Sequence, residues 1–469
     1  MRERINAQAQ FDFQPSTLKL TNRYYAKYES ISSILDDTPA ILDAVHQDLK
    51  KPLKYAKAKT KDGGSFTYTS DQVLRILLCQ VIEGASLREI IIRIDDSNFL
   101  RRFTRLYDGP MMDFTTLDKL KNSIPPATWK NVNQLLGRHA VDHDLISGEK
   151  IRLDTTAVET NIHWPTDSSL LWDTYRVLAR LIDRAREIDP DAVGDQRLHP
   201  RRAKRLAQQI GRKGGSKNSS SELQVLYKDL LGRLEALFEW AHRVQENLHT
   251  GRKKNRYAFF EDAVAQALIE DLEHYRELGS RVVDQARRRV FLGESVPNSE
   301  KLFSLFEPHT ELLKRGKAGK PIEFGHMIQI QQVAQKFITD YDAFEKKPVE
   351  HQLLDRALDR HRALFGTHPK EIAADKGYYE SVDALNTLQK RVKLVCIGKK
   401  GNRTEDETER EHDPAFRHAQ RFRAGIEGSI SFLKRVLGLF RCFNKGWEHF
   451  SASVGAAIFS HNLLILARG

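Results

Sequence analysis

Residues 151–158 read IRLDTTAV, and their side chains alternate with the period of two that marks a strand. The preceding stretch carries helical spacing, so the change of period at Lys150 opens a new part of the chain. Four later segments share the strand pattern: PIEFGHMIQI (321–330), QKFITDY (335–341), EIAADKGYY (371–379) and VKLVCIG (392–398). In the first of these, Ile322, Phe324, His326, Ile328 and Ile330 share one face. Helical patterns fill the intervals at HQLLDRALDRHRALFG (351–366) and SVDALNTLQKR (381–391). A final helix carries FRAGIEGSISFLKR (422–435). The order β-β-β-α-β-α-β-α predicts an α/β core whose first strand is separated from its second by a long excursion.

That excursion, residues 168–310, is helical and highly charged. LLWDTYRVLARLIDRAREI (170–188) and ELQVLYKDLLGRLEALFEWAHRVQENL (222–248) read as amphipathic helices. Between them, HPRRAKRLAQQIGRKGGSKNSSS (199–221) gathers Arg201, Arg202, Lys204, Arg205, Arg212, Lys213 and Lys217. Such a run suits phosphate clamping, and a solvated tip is the competing reading. Upstream, SDQVLRILLCQVIEG (70–84) places Val73, Leu74, Leu77, Leu78 and Val81 on one helix face and stops at Gly84. Ser86 and Glu89 predict a capping box for the next helix. The pair has the outline of a helix-turn-helix, a DNA-reading unit or a plain packing unit. Two more helices are expected at 115–123 and 127–143, divided by Pro125-Pro126. The domains expected are therefore an arm or linker at 1–69, a helical DNA-binding domain at 70–149, a catalytic domain at 150–167 and 311–469, and the basic insertion at 168–310.

Bulk composition fits this plan. The chain has 469 residues, 40% of them hydrophobic, enough for more than one packed core. Lys and Arg exceed Asp and Glu by 75 to 63, a surplus of 12, which favours a polyanionic partner, nucleic acid before membrane. Cys79, Cys396 and Cys442 form no CxxC, which argues against a zinc knuckle or a disulfide framework and fits a reducing compartment. MRERINAQAQFDFQPS has no apolar run, so no secretory signal is expected. AAIFSHNLLILARG (456–469) is short and interrupted by His461 and Asn462, and predicts a buried closing helix rather than a membrane span. A cytoplasmic chain is expected. There is no GxSxG, no Cys-His arrangement of recognisable context and no GxxxxGK[ST], which sets aside nucleophilic hydrolases and P-loop NTPases.

Three carboxylates fall where a ligand site belongs. Asp154 and Asp375 end predicted strands, and the ends of strands in an open α/β sheet are where ligands bind. Glu427 lies on the helix after the last strand. On one continuous helix, Arg423, Glu427 and Lys434 would share roughly 60° of arc, with Ile426, Ile430, Leu433 and Leu437 in a separate apolar stripe. Two Mg²⁺ ions need hard oxygen ligands converging from different elements, and Asp154, Asp375 and Glu427 supply them, with Mn²⁺ able to substitute. The alternative for each acid alone is a surface cap.

In combination these blocks resemble the DDE-class insertion-sequence transposases, and within them the group called ISNCY. LDTTAVETNIHWPTDSSLL (153–171) resembles the first-Asp block, AADKGYY (373–379) the second, and RAGIEGSISFLKR (423–435) the end of a Tyr-Arg-Glu-Lys signature. The chain departs from that signature at Gln420, where the family has Tyr, so no DNA contact carries over there. The resemblance covers about residues 70–175 and 320–465, and the helical insert has no counterpart in it. It implies a ribonuclease H-like catalytic fold, metal ligation by Asp154, Asp375 and Glu427, and phosphate contacts from Arg423 and Lys434. It further implies hydrolysis at the element's terminal inverted repeats, followed by attack of the freed 3′-hydroxyl on target DNA by a homodimer. His163 and Trp164 would touch a flipped or frayed base, with packing as the competing role for Trp164. Glu159 and Asp173 are the alternative stand-ins for a metal ligand, although Glu159 falls beyond the expected strand end. Two rivals remain: a transposase-derived DNA-binding protein without chemistry, and a metal-dependent nuclease that cuts without joining.

Overall fold

The computed structural model describes residues 18–59, 65–214, 220–317 and 320–468. The chain is mixed α/β, 62% helical, with a mixed sheet of seven strands. It divides into two compact units, residues 1–160 with 325–469, and residues 161–324.

The first unit is built on strand Lys150–Thr160. Its β-branched and apolar residues are buried on both faces, and its backbone groups are paired with neighbouring strands along both edges. On one edge it pairs antiparallel with Gly325–Val333, from Ile151 opposite Val333 to Glu159 opposite Gly325. The chain then turns into Ile338–Phe344, again antiparallel. On the other edge Glu371–Ala374 runs parallel, with Leu153 opposite Ala374, and Leu394–Ile397 lies parallel beyond it. Helix Leu354–Phe365 joins the third of these strands to the fourth, and helix Val382–Gln389 joins the fourth to the fifth. Two-residue strand Arg441–Cys442 pairs parallel on the same edge as Glu371–Ala374, further along, opposite Glu159 and Thr160. Between them, at residues 154–158, no strand among the described residues covers that edge.

The helical region before the central strand shares this unit's core rather than forming a core of its own. Helix Ser70–Ile82 is buried almost throughout, including its polar Arg75, whose guanidinium pairs with Asp71 at 2.8 Å and Asp36 at 2.9 Å. Asp36 belongs to helix Lys19–Asp37, followed by helix Pro39–Leu49. The arm expected at 1–69 is therefore corrected over residues 19–49. Tyr28, Ile31 and Leu35 recur at helical spacing and are buried in the core. Beyond them, Lys57–Lys59 and Ser65–Thr67 pair as a two-stranded antiparallel sheet, while 1–17 and 60–64 lie outside the described residues. Ser86 caps helix Leu87–Asp96 by accepting from the Glu89 amide at 3.2 Å. This helix buries Ile90 and Ile94, while Ile92 is 68% exposed.

Helix Trp447–Leu466 is long and apolar enough to cross a membrane by composition, but 72% of its apolar window is buried inside the protein. Its Asn462 is fully buried because both its amide groups are used: Oδ1 accepts from the Ile338 amide at 2.9 Å and Nδ2 donates to the Ile338 carbonyl at 2.8 Å. All three cysteines are buried and stand outside any disulfide.

The second unit has a separate core built from four helices, Asp167–Ile188, Pro200–Lys213, Ser220–Lys253 and Phe259–Phe291. Thr166 starts the first with a capping box to Ser169. The compact division falls at 160/161 and 324/325, outside the expected insertion limits of 168 and 310, because strand Glu311–Lys317 and the start of strand Lys320–Val333 group with the helices.

Candidate functional site

Leu153 and Ala374 are register partners on parallel strands. The residues immediately after them are Asp154 and Asp375. Adjacent strands lie about 4.8 Å apart and residues at equal register share a face, so the two aspartates stand side by side. Asp375 directly follows the carboxyl end of its strand. Asp154, expected at a strand end, lies mid-strand instead, because Lys150–Thr160 stays paired with Gly325–Val333 beyond it. Asp375 keeps extended backbone, φ −72° and ψ 164°, and starts the short turn Lys376–Tyr378. Asp154 is 15% exposed, and its Oδ1 accepts from the Thr155 amide at 2.7 Å.

Arg423 links this pair to the third acid. One guanidinium nitrogen lies 3.7 Å from Asp154 Oδ2 and another 3.8 Å from Glu427 Oε1. Glu427 is 69% exposed, in the first turn of helix Ile426–Arg435. Lys434 follows two turns later, half-buried. The single helix expected through 423–434 is corrected: helix Pro414–Ala424 ends with Arg423 on it, and a second helix starts after Gly425. The cause is Arg152, buried beneath the break. Its guanidinium donates to the Phe422 carbonyl at 2.7 Å and to Gln332 Oε1 at 2.9 and 2.6 Å, and it stacks on the Phe422 ring. The Phe422 carbonyl is thus drawn out of a regular helical ladder, and a Cβ at Gly425 would run into the Arg152 guanidinium. Burial lowers the Arg152 pKa to about 10, which still leaves it charged at neutral pH.

A fourth carboxylate went unremarked in the sequence. Glu350, in the turn Glu350–Leu353, accepts from Thr155 Oγ1 at 2.5 Å, one residue beyond Asp154. A side chain at Gly377 would collide with the Glu350 carboxylate, so the glycine two residues after Asp375 is what admits it. Beneath the acids lies Tyr378, 1% exposed, whose hydroxyl accepts from Gln329 Nε2 at 3.0 Å. Burial first, then the charges of Glu350, Asp154 and Asp375, push its pKa far above the ordinary phenol value, so it stays a neutral phenol. PVEHQLL carries neither strand nor helix periodicity around Glu350. The only available signal was an acid directly before a helical pattern.

Several of the other sequence candidates have partners of their own. Glu159 is buried five residues along the strand from Asp154 and pairs with Arg441 at 2.8 Å. His163, Trp164 and Asp173 belong to the second unit. His163 Nε2 lies 2.7 Å from Asp173 Oδ2, and Asp173 also takes Arg176 at 2.8 Å. Trp164 is 63% exposed and meets Phe324 edge-on at 5.2 Å. In the basic run, helix Pro200–Lys213 buries Ala203, Leu206, Ala207 and Ile210 and turns its cations outward. Arg202 pairs with Asp229 at 3.2 Å and Lys213 with Glu222, while Arg201, Lys204, Arg205 and Arg212 make no ion pair among the described residues. Lys217 lies outside the described residues.

The donor set around Asp154 is all carboxylate oxygen, the chemistry of Mg²⁺ or Mn²⁺ rather than of zinc. Among the described residues no three His, Cys, Asp or Glu side chains gather tightly enough to cage an ion. The Arg423 guanidinium stands between Asp154 and Glu427, so closing the third ligand onto the aspartate pair requires Arg423 to move aside. Comparison of the chain with known families, curated proteins and solved structures gives no match.

Proposed function

We propose that the protein is a DDE transposase, a DNA phosphoryl-transfer enzyme of ribonuclease H-like fold acting on the ends of an insertion sequence in the cytoplasm. The observation that carries this reading is the juxtaposition of Asp154, in the central strand, with Asp375, directly after the parallel strand beside it, tied through Arg423 to Glu427. Strand order supports it as well. Numbered by sequence within the core, the strands run third, second, first, fourth, fifth, with the first three antiparallel and the last two parallel.

Asp154, Asp375 and Glu427 would hold Mg²⁺, which supplies Lewis-acid activation of a water or 3′-hydroxyl and neutralises charge on the phosphate. The protein's own groups do the rest. Asp154 lies within a strand and Asp375 directly after its parallel neighbour, so their spacing is set before substrate arrives. Arg423 compensates the carboxylate charge in the free protein and is a bidentate phosphate donor when DNA is present. Lys434 adds a second cation on the Glu427 helix. The outward cations of Pro200–Lys213 supply sequence-independent grip on the duplex.

The test is a paired band-shift and cleavage assay on duplexes taken from the DNA flanking the coding sequence. Asp154→Asn, Asp375→Asn and Glu427→Gln are expected to lower Mg²⁺-dependent cleavage by about 10³-fold or more, the scale of several kcal/mol of lost charge stabilisation. Binding should stay nearly intact. Normal cutting by any one of them removes that residue from the ligand set.

A further inference from the structure

We propose that the turn joining the two long helices of the second unit is a DNA wedge, in which Phe259 and Phe260 enter between base pairs while Lys253 and Lys254 hold the flanking phosphates. The inference rests on the reading above that DNA is the partner, and it gives the insert a role that reading leaves open.

The helices Ser220–Lys253 and Phe259–Phe291 span 34 and 33 residues and are the longest in the chain. Their turn carries RKKNRYAFFED, residues 252–262. Phe259 and Phe260 are 84% and 81% exposed and meet edge-to-face at 5.6 Å. One turn further on, Val264 extends the apolar surface at 37% exposure. Two adjacent phenyl rings this open are costly to leave in water, and surface of this kind marks an interaction site.

The support beneath them is stiff. Arg252 grips both Asp262 oxygens, at 2.8 and 2.9 Å. Tyr257 donates to Asp189 at 2.7 Å, Glu261 accepts from the Ala258 amide at 3.1 Å, and Asn255 reverses the chain at φ 51°. The turn therefore presents its rings on a fixed base, which spares the ordering cost a floppy loop would incur on binding.

Charge identifies the occupant. Both acids of the turn are engaged internally, Asp262 by Arg252 and Glu261 by the helix start. Lys253 and Lys254 are exposed and make no ion pair among the described residues. Bare phenyls rimmed by unspent cations fit a polyanion with an apolar interior, which is stacked nucleic acid. Phenyl edges offer no hydrogen bonds to bases, so such a wedge unstacks a step and bends the duplex without reading its sequence.

The test uses the full chain and 40-base-pair duplexes from the flanking DNA carrying 2-aminopurine at successive TA steps, with an end-to-end energy-transfer pair to report bending. The wild-type protein should raise 2-aminopurine fluorescence at one step and shorten the end-to-end distance. Phe259→Ala/Phe260→Ala should lose both signals and bind about 5- to 10-fold more weakly, with the salt slope unchanged because no phosphate contact is lost. Lys253→Ala/Lys254→Ala should lower that slope by about two. Phe259→Trp/Phe260→Trp should keep the fluorescence rise, which guards against a folding defect in the alanine variant. Retention of unstacking and bending by the alanine pair overturns the wedge. So does loss of self-association by that variant in sedimentation of the free protein, which would assign the rings to a second copy of the chain. Absence of any duplex binding by the wild type would instead overturn the DNA reading itself.

Discussion

Glu350 and Thr155 show how closely the charge around Asp154 is managed. The Thr155 hydroxyl donates to Glu350 at 2.5 Å, and Glu350 is also the largest charge influence on the buried Tyr378 hydroxyl. Replacing the carboxylate by an amide weakens a charge-assisted hydrogen bond without changing shape. Glu350→Gln is expected to destabilise the protein by about 1–2 kcal/mol, read by chemical denaturation. It should also lower Mg²⁺-dependent cleavage by raising the Mg²⁺ concentration needed, because one negative charge near the aspartate pair is gone. An unchanged Mg²⁺ titration would make Glu350 a structural anchor alone. This residue was not legible in the sequence, because its partner Thr155 is 195 positions away and nothing in PVEHQLL marks it. Asp154 and Asp375 were legible, since one lies within and the other directly after a stretch with clear strand character.

At the scale of elements, IRLDTTAV and the later strand patterns located five strands of the sheet but not Glu311–Lys317 or Arg441–Cys442. The parallel strands are buried on both faces, so apolar and β-branched runs mark them rather than alternating burial. The helix at 423–434 is the instructive failure. Residues 422–435 have unbroken helical spacing, yet the helix is interrupted at Gly425 by an arginine 270 positions earlier in the chain. Tertiary contact overrode local pattern. The sign of one substitution tests that cause. In an ordinary helix Gly→Ala stabilises by up to about 1 kcal/mol. Here Gly425→Ala is expected to destabilise by about 1–3 kcal/mol, since its Cβ meets the buried Arg152 guanidinium and must displace it. Thermal or urea unfolding measures this, and a stabilised variant would show that Arg152 does not hold the break. In helix Lys19–Asp37 the signal is weak for a simpler reason: Tyr28, Ile31 and Leu35 are diluted by polar residues around them.

Across the whole molecule, long-range packing decides stability. Two histidines are buried neutral in the first unit, His361 against Phe365 and His461 beside the Lys336 carbonyl. Burial lowers each pKa to about 4, against about 6.5 in an unfolded chain. The unfolded state therefore binds protons first as pH falls. Stability from these groups is fully present above pH 6.5 and is lost progressively down to pH 4, by up to about 3 kcal/mol apiece. Denaturation at a series of pH values should show that decline, and His361→Leu should flatten it. Equal slopes for wild type and variant would place the acid sensitivity elsewhere. The division into two units was only partly legible, since the strand Lys320–Val333 belongs to both by sequence and no composition change marks Phe324.

The account turns on Asp154 and Asp375 acting as ligands to one divalent-ion site, and a change of ligand softness tests this most directly. Thiolate binds Mg²⁺ poorly and Mn²⁺ better. Asp154→Cys and Asp375→Cys should therefore be inactive in DNA cleavage with Mg²⁺ and regain measurable cleavage with Mn²⁺. Equal cleavage by either cysteine variant in both metals would contradict the assignment.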